Sequence, residues 1–550
     1  MKKRVLSLFM ALALCFSMLP TAALAEEAGA APDAANADST YTTGEDAGLA
    51  GGEDDSVPDD TDGGDTDSSG EVQGGEADTA VSAVQEAHHA SHCVCGGNGD
   101  VNGHNHDTAG TEWKTADSLP NSAGSYYLTR SVSENWTVPA GEVNLCLNGQ
   151  TINGKITVGS GATLTLTDCT DSGSVQGEVT VNGGKFELYS GTITGGVQVG
   201  IKGGSYQTGS NFTMYGGTIS GHNASSGSGG GVFLVGTTNP TVPPSFTMHG
   251  GTISNNTAGA SDGGGGGVYV GEKCSFTMDG GTITGNTATD GNGGGIYIHM
   301  LSKVTISGGE ITNNTASGSG IRYGGGIYSE SGVTVSNVKI TGNNAKAGGG
   351  IYGNGTINLT DATVTGNNQY DVYYGGGESS APKLTVSGSV KAGYYANFEW
   401  KLPILVSGEL SEDSVIRVGV YEGIKPNAGG SLLIAKPAAS GVTLRAKNFE
   451  SYAADCVTSL GDDGNVYLVP CTHEMDDTGY TCKKCHTQFD ARVGESAYYQ
   501  TLTKAFDAAR GNTVTLLRDV TLAGNCSSFL HLPSDTGSEW QNCQQRALLH

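Results

Sequence analysis

Cys471-x-His473 followed by Cys482-x-x-Cys485 gathers four soft or borderline donors in a short span. A Cys-x-x-Cys turn can set two thiolates on one tetrahedral ion, so zinc is the expected metal, and folding a linker without a core is its expected role. The same residues also allow a disulfide, although only three of the four are cysteines. A second cluster holds His88, His89, His92, Cys93, Cys95, His104 and His106. Cys93, Cys95, His104 and His106 either form an equivalent site or belong to a flexible metal-scavenging tract.

The elements that must position such residues are repeats. Phe212-Thr213-Met214-x-Gly-Gly-Thr-Ile219 recurs from Phe246 and from Phe276, and weaker copies start at Val304, Val333 and Ile357. Each copy holds three short β-prone runs, for example Ser275 to Met278, Thr282 to Thr284 and Gly295 to Ile298, separated by glycine pairs and an Asn/Thr/Gly loop. Three strands per period predict a three-sided coil. Alternation within a run, as in Phe276 and Met278, turns one face inward. One turn of such a coil cannot bury that face, whereas a stack of turns buries it continuously. Cys146 and Cys169 lie one such turn apart and are placed to stack or to bridge.

Repetition also puts like residues in rows. Asn256, Asn286, Asn314, Asn343 and Asn367 share one repeat position, with His222 there in the first copy, which predicts an inward amide ladder at the interstrand spacing. The bland alternative is that asparagine simply suits turns. Phe233, Tyr269, Tyr297, Tyr328 and Tyr352 form a second row, pointing outward if the flanking aliphatic residues point in. Such a row either binds a ligand that stacks on rings, or its rings stack on one another over the glycine loops. Thr213, Thr247, Thr277, Thr305 and Thr334 form a third row, read as a strand-stabilising ladder in preference to an ice- or glycan-binding face.

The Gly-Gly-Gly-[Ile/Val] and Ile-x-x-Asn-x-Ala signatures between Phe212 and Asn368 resemble those of right-handed parallel β-helix (pectin-lyase-like) proteins. They are similar to the polymorphic outer-membrane protein repeats of secreted bacterial adhesins. The resemblance implies an all-β solenoid and a surface-exposed, adhesin-like role with a glycan or cell-surface ligand. Pectate lyases and polygalacturonases share the fold, so a polysaccharide lyase or hydrolase is the alternative, and a passive stalk is a third reading. Lyase chemistry needs acidic calcium ligands beside a basic residue, yet Val143 to Asn397 contains one arginine, Arg322, and no acidic cluster beside it. Arg445-Ala-Lys447 resembles the polygalacturonase Arg-x-Lys, but no paired aspartates precede it on the repeats. No catalytic residue is therefore assigned.

Composition supports this layout. Glycine supplies 89 of 550 residues, which excludes a mainly helical chain. The formal charge is −27, and 26–87 carries 18 acidic side chains with no Lys or Arg, leaving −9 for everything else. That balance argues against a nucleic-acid partner. Lys2, Lys3 and Arg4 before the apolar run Val5 to Leu19, then Ala23-Leu24-Ala25, read as a secretory signal over 1–25, with no membrane-spanning stretch after it. The chain is expected to be secreted. The expected order is a disordered acidic linker at 26–87, a His/Cys segment at 88–110 and a β-helix with its N-terminal cap at 111–397. After these come a β-rich cap at 398–470, a zinc-knuckle-like segment at 471–490, the start of a second β-helix-like unit at 491–525 and an unstructured tail at 526–550.

Overall fold

The computed structural model describes residues 113–520 apart from 202–208, 237–241, 261–262, 376–383, 397–402, 421, 496, 511 and 519. The expected signal at 1–25, the expected acidic linker at 26–87, the cluster of Cys93, Cys95, His104 and His106, and the expected tail at 526–550 lie outside the described residues.

Successive turns of chain stack as rungs. The first face, face A, runs in parallel register from Trp113–Ala116 and Gly124–Leu128 through Ser275–Met278 to Leu432–Pro437. Faces B and C, represented by Thr282–Thr284 and Ile296–Ile298, form two more parallel stacks that merge at Lys391–Ala396. Short pairs such as Thr257–Ala258 and Thr287–Ala288 make a fourth seam at one corner. Like residues meet across rungs because the register keeps Phe246 opposite Phe276 and Met248 opposite Met278. Phe186, Phe212, Phe246 and Phe276 consequently stack inside the coil at 5.1, 4.7 and 5.0 Å between ring centroids. Each buried phenylalanine contributes about 2–3 kcal/mol of transfer free energy, with ring stacking added to it.

Rungs extend beyond the glycine signature in both directions. Trp113–Ala116 and Gly124–Leu128 already pair in parallel with the strands that follow, so the expected cap is itself made of rungs. Parallel pairing continues past 397, through Val415–Gly419 and Phe449–Ser451 on the merged face. It ends at an antiparallel hairpin, Cys456–Leu460 with Val466–Pro470, laid along Leu432–Pro437.

The asparagine row lies at a corner beside faces B and C. Asn256, Asn286, Asn314 and Asn343 are at most 1% exposed, and each Nδ2 donates to the Oδ1 of the next rung's asparagine at 2.9–3.0 Å. The same Nδ2 also donates to a backbone carbonyl, as from Asn286 to Ile253 at 2.9 Å, and each Oδ1 takes a backbone N–H as well. Every side-chain amide of this row from Asn256 to Asn343 is therefore satisfied. The series ends on Asp371, whose Oδ1 accepts from the N and Nδ2 of Asn367, both at 3.0 Å, and whose Oδ2 accepts from Gly393 N at 3.0 Å. Burial pushes the Asp371 carboxyl up from the usual carboxylate range, against the pull of these donors. Asp371 occupies the register position of Gly350 in the preceding rung. On the earlier rungs a Cβ at this position would meet the ladder, at 3.1 Å from Asn286 Nδ2 for Gly267, so glycine is required as long as the asparagine ladder continues.

Beyond the hairpin, Ala491–Val493 pairs antiparallel with both Ala497–Tyr499 and Val514–Leu516, and the helix Leu502–Ala509 packs on them. Thr501 caps this helix, its side chain accepting from Lys504 N. These strands form a compact antiparallel unit and not the parallel rungs expected at 491–525. The short link between the first two allows only a hairpin, since parallel neighbours need a crossover.

Candidate functional site

Among the described residues, one group of three or more His, Cys, Asp or Glu side chains converges closely enough to hold a metal: Cys471, His473, Cys482 and Cys485. Cys471 directly follows the strand Val466–Pro470, and its N–H donates to Asp455 O at 2.7 Å. A bridge between Met475 and Cys482 folds the second pair back onto the first. The turn is held by Lys484 N to Cys482 Sγ at 3.4 Å and by His486 N to Cys482 O at 2.9 Å. All four donor atoms lie within 4.8 Å of one another. Cys471 Sγ is 3.7 Å from Cys482 Sγ, and Cys485 Sγ is 3.5 Å from His473 Nδ1.

The thiols differ in acidity. Burial opposes ionisation of Cys482, but backbone N–H groups and His473 outweigh it and pull the thiol down to about 6. Burial, followed by its sulfur neighbours, pushes Cys471 up, and burial pushes Cys485 up as well. One sulfur of the group is thus poised as a thiolate, the form that ligates metal.

The aromatic row forms on the outer side of face C and extends further than the sequence row, from Phe233 through Tyr269, Tyr297, Tyr328, Tyr352 and Tyr373 to Tyr395. Neighbouring ring centroids are 5.0–5.6 Å apart, and Tyr323 and Tyr370 pack against the row from the loops. Tyr297, Tyr328 and Tyr352 keep only 4, 9 and 8% exposure. A sugar needs a free ring face, and these faces are covered by other rings. This geometry weighs against the expected ligand-binding use of Phe233, Tyr269, Tyr297, Tyr328 and Tyr352, of which Phe233 and Tyr269 alone remain half-buried. Tyr297 OH donates to Glu330 Oε1 at 2.5 Å. Burial, then the Glu330 charge, pushes the Tyr269 phenol up to about 12.

Other sequence candidates have local partners. Arg445 and Lys447 both pair with Glu412. Cys169 Sγ donates to Asn148 Oδ1 at 3.5 Å, and its hydrogen bond, with burial, pushes the Cys146 thiol up, so the two cysteines are neighbours. Sequence reasoning missed Asp371 and Asp455. The signal for Asp371 was present, since Asp-Val-Tyr replaces Gly-Ile-Tyr in the last copy; Asp455 lies in no repeat and had none.

Three stacked parallel sheets wound from one chain define a β-helix solenoid. Residues 210–390 match the family model described as "Right handed beta helix region", in keeping with the parallel β-helix that the described rungs build. No curated protein and no solved structure matches it. Among the described residues no helix is long and apolar enough to cross a membrane.

Proposed function

We propose that the chain is a secreted, non-catalytic protein of adhesin type that holds a glycan or another cell-surface ligand on face A. One observation carries the reading. Thr247, Thr277, Thr305 and Thr334 stand in register on successive rungs, beside a parallel row that includes Ser245 and Ser275. The threonines and the two serines are uncharged hydroxyls at the strand spacing of about 4.8 Å, over a core that fixes their positions, with Lys303 next in register after Ser275. Such a surface can share hydrogen bonds with a polyhydroxylated chain without closing a pocket around it. Secretion belongs to the reading through the pattern at 1–25. The competing cleavage reading rests on Arg445-x-Lys447, whose charges are turned toward Glu412.

The test is a glycan and mucin array probed with the full chain. Saturable binding that falls at least about tenfold with Thr277→Arg and Thr305→Arg together supports the assignment. Binding indifferent to those changes removes face A as the contact. Depolymerisation of a uronic polysaccharide replaces adhesion with lyase or hydrolase activity, and neither binding nor cleavage reduces the chain to a stalk.

A further inference from the structure

We propose that Cys471, His473, Cys482 and Cys485 hold one tetrahedral zinc-type ion, and that Asp455, at the end of the β-helix, orients His473 for it, so that the ion joins the last rungs to the C-terminal unit.

The spacing of the donors supports the ion. With metal–sulfur bonds of about 2.3 Å and metal–nitrogen bonds of about 2.05 Å, a tetrahedron has sulfur–sulfur edges of about 3.8 Å and sulfur–nitrogen edges of about 3.6 Å. The observed edges are 3.7 Å for Cys471–Cys482 and 3.5 Å for Cys485–His473. Three cysteines cannot all pair as disulfides with one another, whereas three thiolates and one imidazole complete a closed structural site. Sulfur donors select against calcium and magnesium.

The second observation is an orphan. Asp455 Oδ1 is buried without a hydrogen-bond partner, and it lies 3.8 Å from His473 Nε2. The other ring nitrogen, Nδ1, is the one beside Cys485 Sγ. Ligation through Nδ1 leaves the proton on Nε2, 3.8 Å from the orphan oxygen, and a small closure then brings the two into hydrogen-bond range. A carboxylate behind a metal-bound histidine fixes the tautomer and raises the basicity of the ring.

The placement of the ligands makes the site a joint. Cys471 and His473 follow the terminal hairpin of the β-helix, and Asp455 immediately precedes its first strand. Cys482 and Cys485 lead into Phe489 and the strand Ala491–Val493. The His473 ring meets Phe489 edge-on at 4.7 Å and Tyr498 at 5.8 Å, so fixing the imidazole fixes the platform on which the C-terminal unit rests.

The experiment uses the full chain loaded with zinc alone. Metal analysis is expected to show one equivalent fewer in the Cys482→Ser/Cys485→Ser double variant than in the unsubstituted chain, and cobalt substitution is expected to give tetrahedral sulfur-ligated spectra that the variant lacks. Equal metal content in both, or a Cys471–Cys482 disulfide in the purified protein, overturns the site. Asp455→Asn is expected to weaken zinc by about 10- to 100-fold in chelator competition. In a His473→Cys background, where no ring needs orienting, Asp455→Asn is expected to leave affinity unchanged; an equal loss in both backgrounds overturns the positioning role. Should Asp455→Asn fail to fold, Asp455→Glu replaces it, with partial retention of affinity expected and a full loss counting against the role. Chelation is expected to remove amide-exchange protection from 491–495 and 497–499 as well as from 471–490; protection kept in the first two overturns the joint.

Discussion

Between Phe212 and Tyr374 nearly every inward side chain finds its own kind, or a close substitute, one rung away, whereas between Cys471 and Asp490 the buried residues have no such counterpart. The first region is stable through redundancy. Its core is a sum of similar contacts between neighbours, so one weakened rung is held by those on either side. The second has little apolar surface to bury and depends on four donors meeting at one point. Repetition distributes stability, and convergence concentrates it.

The sharpest way to break this contrast is at the Cys/His cluster, the proposed metal site. Cys482→Ser is expected to abolish the order of 471–490 while the thermal transition of the rungs stays within a degree or two, as followed by amide exchange and calorimetry; a large fall in the rung transition would show that the two regions are not separate in energy. Next in size is Phe246→Ala, which opens a cavity inside the ring stack and is expected to cost about 4 kcal/mol. Denaturant unfolding reads this loss, and a cost under about 1 kcal/mol would mean that the coil collapses into the gap.

Asn286→Ala is expected to cost about 3 kcal/mol, because the N–H and Nδ2 of Asn256 both lose their acceptor while buried. Exchange rates at Asn256 should rise more than those at Asn343, two rungs further on. The smallest effect is invisible at neutral pH. Tyr269 is raised from 10.0 to about 12, so its contribution is complete below pH 10 and is lost as pH rises from about 10 to about 12. Denaturant midpoints across this range should fall, and Tyr269→Phe should make the fall shallower; an identical slope in the variant would assign the alkaline loss to other groups.

The sequence made the rungs legible because face-to-face stacking leaves a period, and the period survives in Phe-x-Met, Ile-x-x-Asn and Gly-[Ile/Val]-Tyr. It understated their extent at the N-terminal end. Trp113–Ala116 and Val415–Gly419 stack by backbone pairing and general apolar alternation, without the glycine corners that mark the centre. The convergence of Cys471, His473, Cys482 and Cys485 was readable from spacing alone. The covering of Tyr297 and Tyr352 was not, since alternation tells which way a ring points and not whether Tyr323 lies against it from a loop. Asp455 was hidden for a related reason: the last hairpin brings it beside His473, at no characteristic distance along the chain.

The ladder runs one way. Every amide from Asn256 to Asn367 passes its hydrogen bond toward the C-terminal end, and Asp371 receives without handing on. New rungs can therefore be spliced in by duplication anywhere between His222 and Asn367, each bringing its own donor and acceptor. Beyond Asp371 the series has no means of growing, because an ionised carboxylate has no hydrogen to offer a successor. A single acidic residue in a glycine's place thus acts as a stop codon written in hydrogen bonds, marking where the elongation of this repeat has to end.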